Sequence, residues 1–188
     1  MFSPSVDLDR TWGPVKHYVE RELGVDLRRE PCFFDRYDPA ALEKVVAQQY
    51  KVAELCKARG KDVFGVLVIV DDFVDQPSFL RNERLLHQLY VRGRHAMLST
   101  VVSSQKVVSV APIIRVNATC LFVFRLRSMQ DLQTLIDECS ALLGKDALLR
   151  LYRHATDEAY GFLYVDLAAK TTDEMFYMRF QARLVPRD

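Results

Sequence analysis

Val66-Leu67-Val68-Ile69-Val70-Asp71-Asp72 and, further along, Ser99-Thr100-Val101-Val102-Ser103-Ser104-Gln105 are the two runs whose reading decides the fold. Each is a short apolar or β-branched stretch that stops abruptly on polar residues. Such a run between turn residues predicts a strand buried on both faces, the pattern of parallel sheets. Two acids at the carboxyl end of a strand stand where open α/β sheets bind their ligands. The plainer reading of Asp71-Asp72 is a strand exit, with the acids capping a helix or turning the chain.

Working outward, Asp38-Pro39 predicts an N-cap and first helical residue, followed by one buried face through Leu42, Val45, Val46, Gln49, Val52, Ala53 and Cys56. Gly60 is expected to close that helix. Gly60-Lys61 is not a phosphate loop, because Asp62 follows it and it comes after a helix. Before it, Met1-Phe2-Ser3-Pro4 looks like the end of a strand entering a loop. A helix is expected over residues 14–23, with Trp12 a packing residue, and Cys32-Phe33-Phe34 is a short strand candidate. Beyond the first strand, Phe73 to Pro77 is expected to be a loop and residues 78–92 a helix ending in Arg92-Gly93-Arg94-His95. Cations at a helix C-terminus are the bland account of that cluster. Residues 112–117 predict a short helix, Cys120 to Phe124 a further buried strand, and 129–143 a helix ended by Gly144. A smaller helix near 147–155 precedes a hairpin-like end at 161–167 and 175–180. Strands alternating with helices predict an α/β protein with a mostly parallel sheet.

The totals set bounds. A chain of 188 residues with 49% apolar and 27% charged residues suits one soluble domain with a sizeable core. A net charge of +1 carries no bulk signal for nucleic acid or membrane. Cys32, Cys56, Cys120 and Cys139 are scattered without a paired spacing, which fits a reducing compartment rather than a zinc site or disulfide framework. No run approaches the roughly 18 apolar residues of a membrane span, and no signal-peptide pattern is present. The expectation is an intracellular, soluble protein of the cytoplasm or nucleus.

In nucleoside triphosphatases a strand ending on two acids is the Walker B motif. The ordered series Asp71-Asp72, Arg81-Asn82, Leu89-Tyr90-Val91-Arg92-Gly93-Arg94-His95, Ser103-Ser104-Gln105 and Ile114-Arg115-Val116-Asn117 is more specific. Through it, residues 3–143 resemble the poxvirus-type DNA-packaging ATPases of large double-stranded DNA viruses, a branch of the FtsK/HerA translocases. The resemblance implies a RecA-like P-loop NTPase core over 1–143, with 144–188 as a helix and strand extension of a single incomplete domain. It implies that Asp71 holds the Mg²⁺ of Mg-ATP and that Asp72 acts on the hydrolytic water. Gln105 would be the sensor that contacts the γ-phosphate or that water, beside Ser104 where the family commonly has threonine. Arg92 or Arg94 would be an arginine finger for a neighbouring subunit's nucleotide, double-stranded DNA the substrate and a homo-oligomeric ring the assembly, virion-associated if viral. Arg115 and Asn117 could contact phosphate or DNA, although a structural role is the preferred reading.

One departure governs the rest. No GxxxxGK[ST] occurs in these 188 residues, and with it go the backbone N–H cradle, the lysine and the hydroxyl ligand for Mg²⁺. The first strand and helix of such a core would be missing too, which should leave unpaired edges and exposed apolar surface. The sequence is then either a fragment of a longer ATPase or a decayed, non-catalytic copy that at most packs against an intact paralogue. As it stands it is not expected to hydrolyse ATP.

Overall fold

The computed structural model describes residues 1–73, 79 and 83–185, in two compact units, Met1–Ser104 and Gln105–Asp188. In the first unit, Asp38 caps α2 (Pro39–Ala58), its carboxylate accepting from the Ala41 N–H at 3.1 Å. The preceding helix, α1 (Gly13–Arg21), buries no residue. The stripe Leu42, Val46, Gln49 and Ala53 is buried, as its spacing dictates. Gly60 takes φ +61° and its N–H donates to Lys57 O, while Lys61 N–H donates to Cys56 O. That pair of bonds is a Schellman closure, and the positive φ is why glycine stands there.

β1 (Val66–Asp71) pairs in parallel with β2 (Leu98–Ser103), in register from Val66 with Leu98 to Asp71 with Ser103. The connection carries α3 (Glu83–Arg92) and a 3₁₀ turn, Gly93–Ala96, as a parallel pair requires a crossover. Arg81 and Asn82 lie outside the described residues, as do residues 74–78, most of the expected loop. On its other side β1 is bridged in parallel to Phe2, and Phe2 in turn to Phe34. Phe2 N–H donates to Ile69 O and Asp71 N–H to Phe2 O, so the first residues act as a one-residue strand.

The expectation that β1 is buried on both faces is corrected. Val68, Val70 and Leu98 are buried, but Leu67 is 56% and Val101 42% exposed. Side chains alternate along a strand, so the pair has one covered face and one uncovered face. Among the described residues β2 also has no ladder partner on its outer edge.

The second unit is a four-stranded antiparallel sheet in chain order, β3 (Cys120–Phe124), β4 (Phe162–Asp166), β5 (Phe176–Met178) and β6 (Ala182–Arg183). Among the described residues the parallel pairing expected from the sequence is therefore confined to the first unit, to β1, β2 and the bridges of Phe2. Local connections explain the difference: Met178 pairs with Ala182 across a three-residue loop, and a loop that short joins only antiparallel strands. Before β3 lies α4 (Pro112–Val116). On one face of the sheet Val123, Leu163, Val165 and Phe176 form a core with α5 (Met129–Cys139) and α6 (Lys145–Ala155), which supply Leu135, Ile136, Cys139, Leu148, Tyr152 and Ala155. The helix expected to reach residue 143 ends at Cys139, and Gly144 caps α6 instead of closing α5. Ser140 explains the early stop, since its Oγ donates back to Asp137 O at 2.7 Å and satisfies a terminal carbonyl.

β3 is also less buried than its sequence implies. It is an edge strand, and Phe122 and Phe124 are 43% and 53% exposed. They belong to an aromatic sheet face with Phe162, Tyr164 and Tyr177, over which Phe180 folds from the β5–β6 loop. Antiparallel sheets tolerate one open face, which a parallel strand of the same composition does not. No helix among the described residues is long and apolar enough to cross a membrane.

Candidate functional site

Parallel register brings the two polar strand ends together. Asp71 lies opposite Ser103, and Asp72 N–H donates to Ser103 O at 3.2 Å. Asp72 adopts φ +57°, leaving the strand through the left-handed region. Aspartate is among the few residues with a side chain that occupy that region readily, because its short carboxylate bonds locally. The strand exit is thus a sharp turn that leaves Asp72 exposed and Asp71 half-buried.

The Asp71 carboxylate has a partner that sequence spacing did not reveal. Ser3 Oγ donates to Asp71 Oδ2 at 2.8 Å, and Ser3 is wholly buried. The hydroxyl is placed by the Phe2 bridge, since Ser3 N–H donates to Phe34 O at 3.0 Å. Asp71 Oδ1 accepts no hydrogen bond from a described residue. Ser104 follows β2 directly, and Gln105 opens the second unit.

Arg92 and Arg94 are not part of this strand-end group. They flank Gly93 in the turn that enters β2, at the end of the sheet where Val66 N–H donates to Met97 O. Asp71 is the sixth residue of the strand counted from that end, five steps on and on the order of 17 Å away at the usual rise. Both arginines are exposed, and neither is placed beside Asp71. Their backbone is nonetheless fixed. Tyr50 OH donates to Arg92 O at 3.2 Å, and the buried Gln49 Nε2 donates to Phe64 O and Ala96 O at 2.7 and 2.9 Å. Gly93 packs so closely that a Cβ there would meet Leu98 O at 3.0 Å.

Arg115 is structural, as preferred from the sequence. Its guanidinium grips Glu138 through both carboxylate oxygens and donates to Val107 O and Val110 O, tying the 3₁₀ turn Val107–Ser109 to α5. Asn117 donates to Ile113 O within its own helical turn. The basic Arg125 is engaged in the same way, by Thr156 O and Asp157 O. Asp131, unremarked in sequence, is buried and accepts from Val108 N–H at 3.0 Å. The signal was present: Ser128-Met129-Gln130-Asp131 has capping-box spacing, and Ser128 Oγ does accept from Asp131 N–H.

The donor set decides what metal chemistry is feasible. Among the described residues no group of three or more His, Cys, Asp or Glu is placed to hold a metal ion. Mg²⁺ in phosphoryl-transfer sites takes only one or two carboxylates, with phosphate oxygens and water completing its shell. Asp71, with one oxygen tied and the other open, fits that share. The four cysteines are free thiols, and burial pushes Cys139 up from its ordinary pKa, Glu138 adding to the effect.

Comparison with known proteins adds a distant viral likeness. No family model matches the chain, and no solved structure matches it. It is 24% identical over 147 residues to "Uncharacterized protein 075L" of Invertebrate iridescent virus 6, covering 78% of this chain and 55% of that protein. It is 26% identical over 140 residues to "Uncharacterized protein 088R" of Invertebrate iridescent virus 3, covering 74% and 51%. The chain spans about half the length of these relatives.

Proposed function

We propose that this chain is the Walker B and sensor portion of an ATP-driven motor that packages or translocates double-stranded DNA, on a RecA-like core. The carrying observation is the end of β1, where Asp71 stands in parallel register with Ser103 and has one carboxylate oxygen held by Ser3. In this reading Asp71 would hold Mg²⁺, which when bound with ATP neutralises charge on the transferring phosphoryl group. Asp72 would orient and deprotonate the attacking water from its turned-out position. Gln105 would sense the γ-phosphate, with Ser104 beside it. Arg92 and Arg94, at the far end of the sheet, would serve a neighbouring protomer of a ring.

Two features support the reading. The uncovered face and, among the described residues, the unpaired outer edge at β2 are what a parallel sheet lacking a neighbouring strand and helix displays. The relatives belong to viruses and are about twice as long as the matched segment. A non-catalytic role is the alternative, favoured by the lack of GxxxxGK[ST] in the 188 residues.

Coding sequence upstream of Met1 provides the test. An in-frame strand followed by GxxxxGK[ST], in a protein whose ATP turnover is abolished by Asp72→Asn while nucleotide binding survives, is the expected result. Full turnover in that variant would remove the assignment. Unrelated upstream sequence, with no stabilisation by Mg-ATP at saturation, would leave the non-catalytic reading; a binder at 100 times its Kd would gain about 2.7 kcal/mol.

A further inference from the structure

We infer that Ser3 is a positioning residue for Asp71: its buried hydroxyl fixes one carboxylate oxygen so that the other faces a divalent cation. The inference rests on the reading of Asp71 as the metal-holding acid.

A carboxylate at a strand end normally rotates about two side-chain torsions, and each extra orientation dilutes the one that binds. Here Ser3 Oγ lies 2.8 Å from Asp71 Oδ2, across 68 positions of sequence. An ionised carboxylate only accepts, so the Ser3 proton is committed to Asp71. Ser5 Oγ, 3.1 Å from Ser3 Oγ, must then be the donor in that second contact. Ser5 N–H points at the same oxygen at 3.4 Å. The chain Ser5 to Ser3 to Asp71 therefore runs in one direction, and each donor polarises the next. Ser3 has little freedom to turn away, being 0% exposed and anchored by its N–H to Phe34 O. Partners that orient a metal's ligand in this way typically contribute 10–100-fold to metal affinity.

The test uses the 188-residue chain and Mn²⁺ alone, read by paramagnetic broadening of the Asp71 carboxylate carbon resonance. The unaltered chain should show saturable broadening, and Asp71→Asn should remove broadening at the end of β1. Ser3→Ala should weaken the apparent Mn²⁺ affinity by about tenfold at a temperature where its melt shows the variant still folded, which a hydroxyl serving the fold alone would not do. Should Ser3→Ala fold poorly, Ser3→Cys keeps the shape with a much weaker donor and should show the same loss. Broadening lost in Asp71→Asn but unchanged in Ser3→Ala and Ser3→Cys would overturn the role of Ser3 and leave Asp71 in place. No broadening in the unaltered chain, or broadening that persists in Asp71→Asn, would overturn the metal reading of Asp71 and this inference with it.

Discussion

Tyr37 buries its ring against Phe2, Phe73 and Phe79, while its hydroxyl finds no hydrogen-bond partner among the described residues. Burial, with Glu43 nearby, pushes its pKa up from 10.0 to about 12. The folded state thus keeps a proton that the unfolded state loses first, so this contribution is intact below pH 10 and declines as pH rises through the window up to about 12. Tyr37→Phe should leave stability at neutral pH unchanged or raise it by about 1 kcal/mol, since an unpaired buried hydroxyl is costly. Denaturant melts of both proteins across the alkaline range should show the Tyr37 part of the pH dependence vanish. Arg115→Ala should behave oppositely, costing about 2 kcal/mol because Glu138 and two carbonyls lose their partner; a DNA-contact residue would melt unchanged. At this scale the sequence reveals what is local. Asp38 and Pro39 announce their cap because cap and helix are adjacent, whereas nothing near Ser3 foretells a partner at Asp71.

Among the elements, α2 is the brace of the first unit, and Gln49 shows how. A stripe position that spacing marks as apolar carries an amide whose nitrogen bonds the carbonyls ahead of β1 and β2. Gln49→Leu would fill the space yet leave both carbonyls unmet, so a loss of about 2 kcal/mol is expected, with faster amide exchange at Val66 and Met97. Gly93→Ala should cost about 1–3 kcal/mol, because the new Cβ presses on the backbone of Leu98. Both are measured by chemical denaturation, and a neutral result in either would show that the Arg92–Ala96 turn is not braced as described. Helices were legible here because their periodicity spans many residues. The end of α5 was not, since Ser140 closes it by a side-chain bond that competes silently with the glycine four positions on.

Over the whole molecule, the alternation of strands and helices was visible in sequence, but strand direction was not. A five-residue apolar run such as Cys120 to Phe124 looks alike in either orientation, and β6 is two residues long. Exposure of Phe122 and Phe124 was hidden for the same reason, because apolar composition does not say which face is covered. The second unit has its own core, so residues 105–188 expressed alone should unfold cooperatively, as checked by thermal melts at several concentrations. The full chain should self-associate through its uncovered strand pair, and Leu67→Lys with Val101→Lys should reduce that in sedimentation runs. The aromatic sheet face has an optical consequence. The chain's single tryptophan, Trp12, lies in the first unit, while Phe122 and Tyr164 stack at 5.1 Å in the second. Indole fluorescence therefore follows the first unit, whereas near-ultraviolet dichroism sums the packed rings of both units, so the part of the dichroic change that indole emission does not match reports the second half from one unlabelled sample.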